Sequence, residues 1–195
     1  SVPLGETEPT PDAAESCDWD DEVTYTCTLK SGQMFADGSE LTAENVVHSI
    51  ERQLQIQHAS NGWQLLTGIE SVEAADESTV TFTLSSADAT FPYILTTAAA
   101  ASVPMSFPGD ALQPNAEVFG SGPYTVEAFD ATQQIQLGLN QNYGGQTQVA
   151  NSGVIVQFYQ TESALKQAIE EGDVMIAYAS SRFSALRACR RASSG

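Results

Sequence analysis

The sequence predicts an α+β fold, mixed in its use of helix and strand, in which a mixed sheet made of β-hairpins carries packed helices. Three observations lead there. Apolar residues alternate with threonines in "EVTYTCTL" and "STVTFTL", a period of two that marks strands with one buried face. Apolar residues recur at helical spacing after Thr42 and after Thr161. The strand pairs are separated by short polar turns, as antiparallel hairpins require, so the helices pack against a sheet that is not a purely parallel one.

The elements follow in chain order. Residues 1–14 are polar and carry three prolines, which predicts a disordered lead-in. A hairpin then turns near Asp20 and Asp21, with Val23, Tyr25, Cys27 and Leu29 on one face. Cys17 and Cys27 flank this turn, where either a cross-strand disulfide or two unpaired thiols would fit. Thr42 caps a helix reaching about Gln57, with Glu44 at the positive end of its dipole and Val46, Val47, Ile50 and Leu54 as its apolar stripe. "ASNGWQLLTG" is a loop with room for a short helical turn, and "IESVEAADESTVTFTL" is a second hairpin burying Val80, Phe82 and Leu84.

A short helix is expected before Pro104. After the Gly-Pro turn of "GSGPY" come strands over residues 124–129 and 133–140. "SGVIVQFY" is apolar almost throughout, as a strand covered on both faces would be. Thr161 and Gly172 bracket a third helix, and "VMIAYA" reads as a final strand.

Composition limits the function. The 195 residues with 42% hydrophobic content suffice for one domain, or one and a half, with a real core. The formal charge of -18 argues against nucleic acid and anionic membrane surfaces as partners. There is no run of about 18 apolar residues to cross a bilayer. Residues 1–16 lack the basic and apolar regions of a secretion signal, so an exported form would already have lost it.

All 25 acidic residues fall within residues 1–181, against only Lys30, Arg52 and Lys166. Residues 182–195 instead form a basic tail with Arg182, Arg187, Arg190 and Arg191. That reversal reads either as an interaction tail or, preferably, as a cloning-derived or out-of-frame extension.

No catalytic constellation stands out. There is no G-x-S-x-G elbow. His48 falls on the polar face of its helix and reads as solvated, and His58 sits at that helix's C-terminal dipole. Asp18, Asp20, Asp21 and Glu22 lack the glycine and terminal glutamate of a calcium loop and read as a solvated turn. Gly120, Gly122 and Pro123 lead into a strand rather than a helix, so they read as a turn needing positive φ, not a phosphate cradle. No metal or cofactor site is expected. Trp63, in a Gly-Asn loop, reads either as a stacking wall for a ligand or as a plug in its own core.

Several stretches, in order, resemble one family. "TYTCTLKSGQMFADGSELTAENVVHSIERQL" matches at Leu29, Lys30, Phe35, Asp37, Gly38, Thr42, Ala43, Glu44 and Val46 the pattern of the family 5 extracellular solute-binding proteins. These are the oligopeptide, dipeptide and nickel receptors of bacterial ABC importers. Asn45 replaces the usual aspartate there. "GSGPYTVEAF" is similar to the family's Gly-Thr-Gly-Pro-Tyr turn with Ser121 for threonine, "LNQNYGG" lacks the family's tryptophan, and "ALKQAIEEGDVMIA" has Met175 where an aspartate is common.

The resemblance covers about residues 13–179. It implies a type II periplasmic-binding-protein clamshell, of which residues 15–181 would be a partial N-terminal lobe, and a binding protein rather than an enzyme. Its implied partners are a peptide ligand and ABC permease subunits, with extracytoplasmic localisation and a lipid anchor on the longer parent. It places Trp63 beside the bound peptide and Val118 and Phe119 near the hinge, where nickel-type members can carry an arginine that this chain lacks. The alternative is a stand-alone interaction or sensor module, whose exposed faces should be polar; a severed lobe should expose an apolar one.

Overall fold

In a computed structural model, residues 2, 5–114, 117–145 and 147–177 are described. The basic tail, residues 182–195, lies outside them. Seven strands and three helices fall in the order β1 (Ala14–Trp19), β2 (Thr24–Leu29), α1 (Ala43–Ile56), β3 (Ile69–Ala74), β4 (Thr79–Leu84), α2 (Phe91–Ile94), β5 (Tyr124–Asp130), β6 (Gln134–Leu139), β7 (Gly153–Gln157) and α3 (Glu162–Glu171). Two 3-10 turns, Trp63–Leu66 and Ala98–Ala100, flank the second hairpin and α2.

The strands form two antiparallel sheets, ordered β1-β2-β4-β3 and β5-β6-β7. In the first, the alternation seen in the sequence becomes the burial pattern. Tyr25, Cys27 and Leu29 face inward from β2, and Val80, Phe82 and Leu84 from β4. Helix α1 lies across β3 and β4. Phe35, Ile50, Leu66, Val80, Phe82 and Phe91 are fully buried or nearly so, each contributing about 1.5–3 kcal/mol of transfer free energy. Cys17 and Cys27 stand directly opposite in the β1–β2 register, Cα atoms 4.0 Å apart, and are joined as a disulfide.

Thr42 holds the N-cap of α1 in extended backbone, and Asn45 Oδ1 accepts both the Thr42 N–H and hydroxyl at 2.9 Å. An amide suits this position better than the family's carboxylate would, because Asn45 is buried. Its own carbonyl accepts the Ser49 hydroxyl, which in turn accepts the Val103 N–H at 2.8 Å.

Four expectations need correction. His48 and Arg52 on α1 are covered rather than solvated, while Glu44 and Glu51 stay exposed: the irregular segment 103–111 wraps this side of the helix, His48 Nε2 is 2.9 Å from the Phe107 carbonyl, and Arg52 is buried. The strand in "SGVIVQFY" is, among the described residues, the edge β7 and not a central strand; of these only β6 pairs with it, and Ile155, Val156 and Phe158 are exposed. Residues 174–177 form no strand, and Met175 and Ile176 are almost fully exposed because no described sheet edge pairs with them; the rest of "VMIAYA" lies outside the described residues. Finally, Gly120 and Gly122 do not adopt positive φ. Their turn is set by carbonyls instead: Gly122 O accepts Asn140 Nδ2 and Pro123 O accepts the Asn140 N–H.

Left-handed backbone is instead needed at Gly38, at φ 85°, in the turn of "FADGSEL". Asp37 Oδ1 accepts the Ser39 N–H and hydroxyl there, and the Phe35 N–H reaches Ser39 O. At the far end, Thr161 Oγ1 accepts the Ala164 N–H and Gly172 closes α3 at φ 83°, both at the positions expected.

Candidate functional site

One concavity among the described residues is a cleft of about 770 Å³. Residues 8–14 line one side, β1 and β2 a second, and residues 121–123 with Tyr143, Gly145 and Thr147 a third; α1 contributes Val46 and Ile50.

Local bonding holds these walls. The Tyr93 hydroxyl donates to Glu8 Oε2 at 2.7 Å, and Lys30 Nζ donates to the Asp12 carbonyl at 2.5 Å, so residues 8–12 are tied to α2 and to the end of β2. Trp19 and Tyr25 lie across the β1–β2 ladder with ring centroids 4.8 Å apart, and Phe91 meets Tyr25 edge-on at 5.8 Å. Trp19 and Tyr93 remain exposed at their rims, each 38%.

The charged groups of the lining are Glu8, Asp12 and Asp18; no lysine, arginine or histidine contributes among the described residues. Burial, and then the Asp18 charge, push the Tyr25 phenol up, while the hydrogen bond to Glu8 raises that of Tyr93. Both phenols therefore stay protonated donors at neutral pH. Serines 102 and 121 line the cleft without a histidine or lysine beside them among its described lining, so the arrangement offers shape, aromatic faces and negative potential.

The residues singled out from sequence fall elsewhere. Trp63 opens the first 3-10 turn, half-buried, and Phe119 is half-buried against Phe107 at 6.2 Å; neither lines the cleft. Phe119 is adjacent to Gly120, whose carbonyl accepts the Ala36 N–H at 3.0 Å, at the junction of the two sheets. The acidic turn is self-satisfied. Asp21 Oδ1 accepts the Val23 and Thr24 N–H groups at 2.8 Å, Asp20 Oδ2 accepts the Thr26 hydroxyl, and no group of described residues is disposed to hold a metal. His58 is exposed and accepts from the Ser60 N–H. The signal in the sequence for this cleft is Trp19, a large aromatic at the end of a strand beside an acidic turn.

Comparison with known proteins agrees with the fold. The profile of the bacterial extracellular solute-binding proteins, family 5 middle region, matches residues 8–187. The probable D,D-dipeptide-binding periplasmic protein DdpA of Escherichia coli K12 is 34% identical over 132 residues, covering 65% of this chain and 25% of that protein. Di/tripeptide-binding protein 1 of Pseudomonas aeruginosa is 27% identical over 196 residues, covering 88% and 36%. Among solved structures, the binding protein AgaA of A. tumefaciens R10, in complex with agropinic acid, superposes with a TM-score of 0.76 at 28% identity, covering 85% of this chain and 34% of that one. The chain thus spans about a quarter to a third of the length of these relatives, which are solute-binding proteins and not enzymes. The match over nearly the whole chain, with a fold to agree, places it: this chain belongs to the family 5 bacterial extracellular solute-binding proteins.

Proposed function

We propose that the protein carrying this chain is the extracytoplasmic substrate-binding component of an ABC importer, that it takes oligopeptides, and that residues 15–181 are part of its N-terminal lobe. The family match over residues 8–187 carries this reading. The names of two relatives, which specify D,D-dipeptide and di/tripeptide binding, support peptides as the class. A peptide held mainly through its backbone leaves its side chains free to vary.

The Cys17–Cys27 disulfide suits an oxidising, extracytoplasmic compartment. The apolar surface of Ile155, Val156, Phe158, Met175 and Ile176 favours a lobe that packs against further protein over a self-contained module, whose faces would be polar. In this reading Trp63 is a wall of the peptide site and Phe119 lies near the hinge; permease subunits are the protein partners, and a lipid anchor holds the protein at the membrane. Against the expectation of a loose lead-in, residues 8–14 are bonded to the lobe through Glu8, Asp12 and Ala13, and residues 182–195 are an extension foreign to it.

Native mass spectrometry of the protein as its own cell exports it tests the proposal. The expected result is a species well above 20.7 kDa that releases short peptides on activation. A species of this chain's mass that carries and captures no peptide would overturn it in favour of an interaction module.

A further inference from the structure

The loop between α1 and the first 3-10 turn holds a reactive pair. Of the six asparagines in the chain, only Asn61 is followed by glycine. Gly62 is there for its backbone: it enters the turn at φ 66°, a left-handed conformation in which a residue with a Cβ is strained. The chemical consequence is an uncrowded main-chain nitrogen beside a side-chain amide, at the spacing that closes a five-membered ring.

Two other asparagines show what protects such a group. Asn45 precedes β-branched Val46, whose N–H is engaged with the Thr42 carbonyl, and Asn142 precedes Tyr143, whose N–H bonds to the Asn140 carbonyl. The Gly62 N–H, by contrast, donates to no described group. Asn61 is half-buried, and one hydrogen bond restrains its side chain, from Nδ2 to Gln53 Oε1 of α1 at 3.0 Å.

We propose that Asn61 is a self-modification site, at which the Gly62 nitrogen displaces the side-chain amide and the product loosens the turn that carries Trp63. The Gly62 N–H gives its proton to hydroxide, and the nitrogen bonds to the Asn61 side-chain carbonyl carbon. The bond from that carbon to Nδ2 breaks, and Nδ2 leaves as ammonia after taking a proton from water. Water then opens the succinimide at either carbonyl, giving aspartate or isoaspartate at position 61. Isoaspartate routes the main chain through the side-chain carbon, which adds a methylene ahead of Trp63. Leu66 is fully buried and anchors the far end of the turn. The added length therefore falls on Trp63 and on the bond from the Leu65 N–H to the Gly62 carbonyl, now 3.0 Å. Either product also replaces the donor to Gln53 with a carboxylate.

The chain is held at mildly alkaline pH, folded and in urea, and sampled by peptide mapping and by isoaspartyl methyltransferase labelling. The expected result is conversion at Asn61 in the folded chain within about tenfold of its rate in urea, with isoaspartate among the products. Asn61→Gln should abolish conversion at this position. Gln53→Ala, which frees the amide, should speed it about fivefold. Hydrogen exchange at the Leu65 amide should be about tenfold faster in the converted fraction. The inference is overturned if Asn61 converts in urea but stays intact in the folded chain, if the exposed Asn151 converts equally fast, if aspartate forms without isoaspartate, or if Leu65 exchange is unchanged.

Discussion

The side-chain amide of Asn142 donates to the main-chain carbonyl of Ala36 at 3.2 Å, and in doing so ties the second sheet to the Asp-Gly turn of the first. The Phe35 carbonyl lies 3.4 Å from the same nitrogen, and the Ala36 N–H returns the bond to Gly120. The well-specified turn before α1 is thus a joint between sheets. Replacing Asn142 with alanine should lower stability by about 1 kcal/mol. It should also speed hydrogen exchange at the Ala36 amide about fivefold. Exchange at Ala36 that stays at its original rate would mean the joint is held by other contacts.

Arg52 is the buried counterpart of that joint on the far face of α1. Its Nε donates to the Pro108 carbonyl at 2.8 Å and its Nη2 to Ala111 at 2.7 Å, with the guanidinium 5.9 Å from the Phe107 ring centre. Arg52→Met keeps the stem and removes both donors, which should cost about 2–4 kcal/mol in urea unfolding. Arg52→Lys should recover only part of this, since an ammonium cannot span both carbonyls as the planar fork does. Full recovery with lysine would show that charge, not geometry, is what matters here.

The Cys17–Cys27 link closes a loop with a sequence separation of 10 and anchors the edge strand that carries Trp19. Restricting the unfolded chain in this way should stabilise the protein by about 2.5 kcal/mol. Unfolding with and without dithiothreitol measures it, and identical urea midpoints would show that the crosslink contributes nothing.

Four aspartates, Asp21, Asp76, Asp88 and Asp130, have carboxyl pKa values lowered in the folded state. For Asp21 and Asp76 the first cause is a backbone N–H donor, from Val23 and Ser78; for Asp88 and Asp130 it is a threonine hydroxyl, of Thr90 and Thr132. A depressed folded-state value means the stabilisation is present above the unfolded pKa, near 4, and is lost as pH falls through the folded one. Stability should therefore fall on acidification below about pH 4. Asparagine at these positions accepts the same bonds without titrating, so the fourfold Asp→Asn variant should show a shallower acid slope. An unchanged slope would place the acid sensitivity elsewhere.

What could be read from sequence divides along a physical line. The hairpins and the helix bounds at Thr161 and Gly172 were legible because alternation and capping are local, and they survive packing unchanged. The burial of Arg52 and His48 was not, because the covering segment 103–111 has no periodicity and meets α1 more than fifty residues away in sequence. The role of the "FADGSEL" turn was hidden for the same reason, since its partner Asn142 is 106 positions from Ala36. β7 misled through composition. An apolar run signals a need for cover but does not say whether a neighbouring strand or further protein supplies it.

The family resemblance implies ligand-side roles for Trp63 and Phe119, and their placement makes those roles testable. Trp63 begins a 3-10 turn whose Gly62 entry is at φ 66°, and its ring is half-buried, with surface left for a ligand. Phe119 is braced by Phe107, which itself lies under Arg52. In the full protein that carries this chain, if it binds peptides as proposed, Trp63→Ala should weaken peptide affinity about tenfold or more, as loss of an aromatic wall does, with little change in stability. Phe119→Ala should behave differently: because the ring packs between the wrapped segment and the junction, it should lower stability as well as affinity. Isothermal titration with a peptide, paired with urea unfolding, separates the two. Unchanged affinity for Trp63→Ala would remove that residue from the site, and a stability loss equal to that of Phe119→Ala would make it a core plug of its own lobe.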